Sequence, residues 1–398
     1  QLKLRGSIGT TGNQNFQSNK SIATYKYFKD DAYCYYWNGT YLNNMKNPGL
    51  EWEQKKDYNI GIDFATKHMT LTADWYRSDT ENMVSQISLP GSTGFTQVSE
   101  NLGLVRNEGI EISLGGTPVQ TKDFQWNVDF NIAKNSNKLV KLNPAITTYM
   151  LEGNSFYYFW YIKANEGRPL GEITTMARWA RNDDGKLILR PTTSAAWGGG
   201  WQPSYDLNNE KVVGNFQPDF TGGFSTDFQY KNFRLAASFD FMIGGDMVSW
   251  TNMWGNGSGT AAESAHINDK GVNVREPIAK GGGVRVDGVD EQGKPVTAYM
   301  NAYQYYHYLA NYDLDNWVYS RSYLKMRELS LTYDFSKALL KKANIGLSNA
   351  SISFVASNPW LIYSACPNVD PSETGSNWLE GGQAASTRSF GFTVKLGF

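Results

Sequence analysis

Hydrophobic and polar positions alternate along much of this chain, most plainly at its end. Phe390, Phe392, Val394, Leu396 and Phe398 alternate with Gly391, Thr393, Lys395 and Gly397. Strand side chains repeat every second residue, so this stretch predicts a final strand with one wholly apolar face. A face that is aromatic and ends on Phe398 suits a strand in a bilayer, with lipid on one side and water on the other.

The same alternation recurs upstream. Tyr58, Ile60, Ile62 and Phe64 alternate with Asn59, Gly61 and Asp63. Ile110, Ile112 and Leu114 alternate with Glu111 and Ser113. Phe124, Trp126, Val128, Phe130 and Ile132 form a third set, and Phe233, Leu235, Ala237, Phe239 and Phe241 a fourth. Leu329, Leu331, Tyr333 and Phe335 share one phase, while Leu324 and Met326 are out of phase with them. That break predicts a β-bulge near Arg327. About ten such strands are expected, joined alternately by short and long links. The short links fall at 64–69, 115–123, 230–233 and 336–346, the last with a helical-looking SKALLKKA. The long ones run through 10–53, 78–103, 136–219, 244–318 and 358–387. The 136–219 link has room for two more strands, around FYYFWYIKA and after EGRPLG. No other segment sustains a helical period.

Short turns at one end and long loops at the other define an antiparallel transmembrane β-barrel, with the short turns in the periplasm. The C-terminus falls at the short-turn end. A soluble β-sandwich also alternates. Two features count against it. The polar face carries many ionisable groups, as a hydrated lumen would, and loops of about 80 residues are foreign to a compact soluble domain. The lumen-facing charges on this reading are Asp63, Asp74, Glu111, Asp129, Asp227, Arg234, Asp240 and Glu328, with Asp334 beyond them.

Composition refines this picture only in places. Among 398 residues, 24 Tyr, 20 Phe and 13 Trp make aromatics 14%, enough for membrane-interface girdles and ligand-facing loops. A net charge of −1 without a basic block argues against nucleic acid. His68, His266 and His307 are far apart, so no metal site and no catalytic group is expected. Cys34 and Cys366 lie in loop-like sequence, where pairing cannot be deduced. No nucleophile elbow, Walker loop, HExxH or dinucleotide fingerprint occurs. The triple glycines 198–200 and 281–283 read as flexible loop. The loop aromatics Trp197, Trp201, Tyr205, Trp250, Trp254 and Tyr305, with Tyr303, Tyr306 and Tyr308, are the ligand-binding candidates, because flat rings stack on sugars or peptide side chains at small entropic cost. Tyr157, Tyr158, Phe159, Trp160 and Tyr161 are expected in a membrane girdle or a loop core.

Six ordered segments carry a family resemblance. NPGLEWEQKKDYNIGIDF (47–64), NLGLVRNEGIEISL (101–114), EGRPLGEI (166–173), GNFQPDFTGGF (214–224), RSYLKMRELSLTYDFSK (321–337) and SNPWLIYSACPNVDPSET (357–374) resemble segments of SusC/RagA-type TonB-dependent transporters. Phe216 and Ser336 stand where the family commonly has Pro, and Cys366-Pro367-Asn368 occupies a usual turn. The resemblance spans essentially the whole chain. It implies a barrel of about 22 strands, an N-terminal plug and a TonB-contacting segment, with this sequence as the C-terminal part, 1–398, of a longer protein. It also implies a SusD-like surface lipoprotein partner, outer-membrane lipid around the wall, and an oligosaccharide or oligopeptide cargo imported in a Gram-negative outer membrane. RNDDGKLI (181–188) is similar to an acidic loop of the family, which would allow a loop Ca²⁺; no other cofactor is expected. The alternative reading is an outer-membrane scaffold of a secretion or adhesion machine. An outer-membrane enzyme ranks behind both.

Overall fold

A computed structural model describes the chain apart from residues 14–23, 28–38, 90, 96, 145–148, 154–159 and 344–345. Ten long strands form where the alternation is longest. They are β1 (Leu2–Asn13), β2 (Glu53–Ala65), β3 (Met69–Glu81), β4 (Gly103–Gln120) and β5 (Phe124–Leu142). They continue as β6 (Phe220–Tyr230), β7 (Phe233–Ile243), β8 (Tyr323–Asp334), β9 (Asn349–Ser364) and β10 (Ser389–Gly397). Hydrogen-bonded order follows chain order from β1 to β10. This is an all-β, up-and-down wall.

The chain divides into two compact units, residues 1–116, 131–151 and 163–170 in one, and 117–130, 152–162 and 171–398 in the other. In the first, register places apolar residues directly opposite one another. Leu4 pairs with Ile62, Ile62 with Ala73 and Ala73 with Ile112. Ile60 pairs with Trp75, which pairs with Ile110. In the second, Phe354 opposes Phe392 and Ile352 opposes Val394. Directly opposed residues share a face, so these rows form an apolar belt. Its side chains, Leu4, Ile60, Ile110, Phe392 and Val394 among them, are bare in the isolated chain. In a membrane they meet lipid.

Two short turns share one device. The Thr66 hydroxyl accepts from the Met69 amide at 3.0 Å, and the Thr121 hydroxyl accepts from the Phe124 amide at 3.0 Å. Each closes a three-residue link as a side-chain-capped turn.

The bulge expected near Arg327 is present. Ser238 faces Glu328 while the next residue, Phe239, faces Met326, leaving Arg327 as the inserted residue. The two further strands expected between 136 and 219 also form, at Trp160–Ala164 and Glu172–Thr175. They join a separate four-stranded sheet and not the wall.

The long links hold a conventional buried core, with Trp160, Trp179, Trp197, Met253, Met300 and Trp317 among its members. They also hold two helices that the apolar period did not reveal, α1 (Trp250–Gly257) and α2 (Ala302–Tyr312). The buried side of α2 is Ala302, Tyr306, Leu309 and Ala310, spaced i, i+4, i+7 and i+8. Two alanines and a tyrosine in that stripe mask the period. The short helix α3 (Lys337–Ala343) forms where SKALLKKA suggested it.

Candidate functional site: the polar face of the wall and the outer aromatic cluster

On β1–β3, Arg5 and Asp74 stand on either side of Gly61. The Arg5 guanidinium binds the Asp63 carboxylate at 2.8 and 2.9 Å and the Asp74 carboxylate at 2.8 and 2.9 Å. Two strands' width is bridged because residue 61 has no side chain. A Cβ there would lie against Asp74 Oδ1 and 2.8 Å from the Arg5 guanidinium carbon. Gly109 does the same for the next strand pair. The Tyr76 hydroxyl passes over it to donate to Asn135 Oδ1 at 3.0 Å. Glu111 sits directly opposite Asp74 on the same face.

In the second unit Asp227 accepts from Asn127 at 3.1 Å and from Arg234 at 2.5 Å. Asp129 accepts from the Ser225 hydroxyl at 3.5 Å. Asp129, Asp227, Arg234 and Glu328 line one polar hollow. At the end of β8 the Asp334 amide donates to Asn232 O, and the Asp334 carbonyl accepts from the Asn232 side-chain amide.

Asp240 belongs to a larger network. Arg327 binds it at 2.8 Å through Nε and 2.8 Å through Nη2, and the Tyr323 hydroxyl donates at 3.1 Å. Arg327 Nη1 also reaches Glu373 at 3.0 Å. Lys325, its side chain 2% exposed, donates to Asp370 at 2.7 Å, Glu373 at 2.8 Å and Ser386 at 3.0 Å. The bulge makes this possible. The inserted Arg327 shares the polar face with Lys325, so two adjacent cations hold the link between β9 and β10 against β8. Lys325 above all, then Arg327, holds the Glu373 carboxyl below the usual carboxylate range. Lys325, Arg327, Asp370 and Glu373 were not among the sequence candidates. The only signal was a charged run, KMRE, breaking the alternation of β8.

The outer aromatics separate into two groups. Trp197 is 3% exposed and packs edge-on against Tyr308 at 5.2 Å. Tyr205 stacks on Tyr308 and leans on Tyr312, and Trp179 meets Tyr305 edge-on at 5.3 Å. Trp201, Tyr205, Trp250 and Tyr305 pack against the core, and Tyr306 belongs to it. Burial pushes the Tyr305 phenol up to about 12. By contrast Tyr303 is 72% exposed, with one face stacked on His307 at 5.6 Å, and Trp254 is 36% exposed. Tyr303, Tyr306, Asn256, Asn301 and Arg275 line a hollow of about 320 Å³. Arg275, Asn256 and Asn301 are site candidates that pattern reading passed over, because isolated polar loop residues carry no period. Trp160 is fully buried, in the loop core; Tyr157, Tyr158 and Phe159 lie outside the described residues.

Buried acids in this outer region are used structurally. Asp313 accepts from the Trp179 amide at 2.9 Å and pairs with Arg181 at 3.3 Å, and burial raises its carboxyl. In the 181–188 loop the Asn182 side-chain oxygen accepts from the Lys186 amide at 2.9 Å, closing a hairpin turn. Among the described residues no group of three or more His, Cys, Asp or Glu gathers to hold a metal. Cys366 is buried with its thiol pushed up to about 12 by that burial, while Cys34 lies outside the described residues.

This combination of apolar belt, polar inner face and folded outer links agrees with comparison to known proteins. The family described as TonB dependent receptor-like, beta-barrel matches residues 1–350. The chain therefore belongs to the TonB-dependent receptor β-barrel family, whose members reside in the outer membrane of Gram-negative bacteria. It is 27% identical over 395 residues to TonB-dependent receptor P3 of Formosa agariphila, covering 94% of this chain and 36% of the relative. It is 24% identical over 311 residues to TonB-dependent receptor SusC of Bacteroides thetaiotaomicron, covering 68% of this chain and 29% of the relative. It thus spans about a third of the length of these relatives. Its fold is similar to that of the RagAB peptide importer in a closed-closed state, with a TM-score of 0.73 at 21% identity, over 99% of this chain and 40% of that one. The open-open state of the same importer gives 0.70.

Proposed function

We propose that this chain is the C-terminal wall and outer-loop portion of a TonB-dependent importer, taking up an oligosaccharide or oligopeptide together with a SusD-like surface lipoprotein. The observation that carries the reading is the family match over residues 1–350, joined to long links that fold into a stable outer structure. In this mechanism no covalent bond changes. Cargo is captured among the outer links and the lipoprotein, where Tyr303 and Trp254 offer accessible ring faces. A TonB-coupled plug then opens a path along the polar face, where charges such as Asp227 and Arg234 are hydrated and paired. Energy enters through that remote coupling, so no local nucleotide site is required.

Native mass spectrometry of the detergent-extracted complex, with peptide sequencing of every component, tests this. A parent much longer than this chain, as its 36% coverage of the P3 relative implies, bound to a lipoprotein and a retained oligomer supports import. Association only with secretion or adhesion components would replace it with the scaffold reading.

A further inference from the structure

The short-turn end of the second unit has a chemistry the importer reading does not use. Three neighbouring turns are tied by backbone bonds. The Lys231 amide donates to Asp123 O at 2.7 Å, and the Asp334 amide donates to Asn232 O at 2.9 Å. Along this edge Lys122, Lys231, Lys337, Lys341 and Lys342 are all exposed. Asp123 and Asp334 are the acids beside them. Among the described residues none of these lysines makes an ion pair. The 66–68 turn of the first unit also presents an exposed lysine, Lys67.

Bare apolar groups accompany the charges. Tyr230, Phe233 and Phe335 are exposed on the belt side, and Leu339 of α3 is 50% exposed while its neighbour Leu340 is buried. Phe233 leans on Tyr333 at 4.8 Å, and Lys231 Nζ lies 5.3 Å above the Tyr230 ring. Aromatic rings continuing the lipid-facing belt, with ammonium groups just beyond them, match the level where acyl chains give way to headgroups. In a barrel the short-turn end is periplasmic.

We propose that this edge binds anionic phospholipid of the periplasmic leaflet. Lys231 and the α3 lysines contact the phosphates, while Leu339 and Phe335 lie against the upper acyl chains. A soluble anion would satisfy the lysines and leave the adjacent apolar groups in water, which favours lipid. The proposal depends on the barrel lying in a membrane and is independent of what the barrel imports.

The test uses the full-length transporter in mild detergent, titrated with phosphatidylglycerol or phosphatidylethanolamine and read by native mass spectrometry. Phosphatidylglycerol adducts should appear at lower lipid concentration. K337Q/K341Q/K342Q should raise that concentration about fivefold per lysine removed and leave phosphatidylethanolamine unchanged. K122Q/K231Q should act in the same direction, and Lys280→Gln in a long link should have no effect. Heat-modifiable gel migration checks that each variant is folded. Equal binding of both lipids, or phosphatidylglycerol binding that neither lysine set alters, overturns the proposal. So does full competition by lipid-free glycerophosphoglycerol.

Discussion

Gly61 shows how much one missing side chain can organise. The Arg5 guanidinium reaches Asp74 only by lying over that residue. Gly61→Ala should therefore push the guanidinium off Asp74 and destabilise the folded wall by about 1–3 kcal/mol, the usual cost of overpacking. In an Arg5→Ala background the guanidinium is gone and the Asp74 carboxylate, no longer held by it, can turn away from residue 61, so the added methyl should cost less. A double-mutant cycle on the unfolding midpoint in a semi-native gel measures this. Additive effects would show that Gly61 and Arg5 are not coupled as the geometry requires. Lys325 is the other residue of consequence. Lys325→Ala leaves Asp370 unpaired and Glu373 with Arg327 alone. We expect a loss of about 2 kcal/mol, less than a fully buried pair would cost because Glu373 remains partly exposed. Denaturant unfolding of the variant beside the parent gives the value.

Elements turn these residue contacts into geometry. The bulge places Arg327 and Glu328 on the same face in succession, and downstream the alternation resumes in the opposite phase. Deleting Arg327 would restore a regular strand and turn residues 323–326 over, sending Lys325 towards lipid and Met326 inward. Such a chain should fail to assemble, with loss of the heat-modifiable band; normal assembly would mean that the register is set elsewhere. The link between β9 and β10 depends on carboxylates, so it should respond to acid. The Glu373 carboxyl is held below its ordinary range in the fold, chiefly by its bond from Lys325. Its contribution is complete above the unfolded value and is lost as pH falls through the folded one. Amide protection of residues 366–386, taken relative to the intrinsic exchange rate at each pH, should thus be high at neutral pH and fall as acid protonates Glu373, and Glu373→Gln should be less protected already at pH 7. No difference between parent and variant at pH 7 would remove Glu373 from the latch. The bulge was legible in the sequence as a phase break. The latch was not, because Asp370 and Glu373 are distant from Lys325 along the chain and no period links a loop to a strand.

Across the whole molecule, two kinds of burial coexist. The wall leaves its apolar belt bare, to be covered by lipid. The outer links bury theirs among themselves, as a water-soluble domain does. This divides the aromatic candidates by role. Trp197→Ala should unfold some of the outer structure, at a cost of about 3–5 kcal/mol, and reduce cargo capture only through that loss. Tyr303→Ala should keep thermal stability and weaken capture directly. Thermal melts and cargo co-purification on both variants distinguish the two, and a reversed pattern would show that the exposed ring is not a contact.

The strand period alone determined the wall. Alternation is a local property, and a two-residue repeat sets which side chains share a face whatever the rest of the chain does. It therefore placed the ten strands, the lipid-facing belt, the polar charges and the phase break. Tertiary structure alone decided which polar groups meet and which aromatics stay accessible. It paired Arg5 with two carboxylates across a glycine, buried Lys325 under a returning loop, sent the 160–175 strands to a separate sheet, and separated Tyr303 from Trp197. Those outcomes depend on residues far apart in sequence arriving at the same place, and composition or spacing carries no record of that.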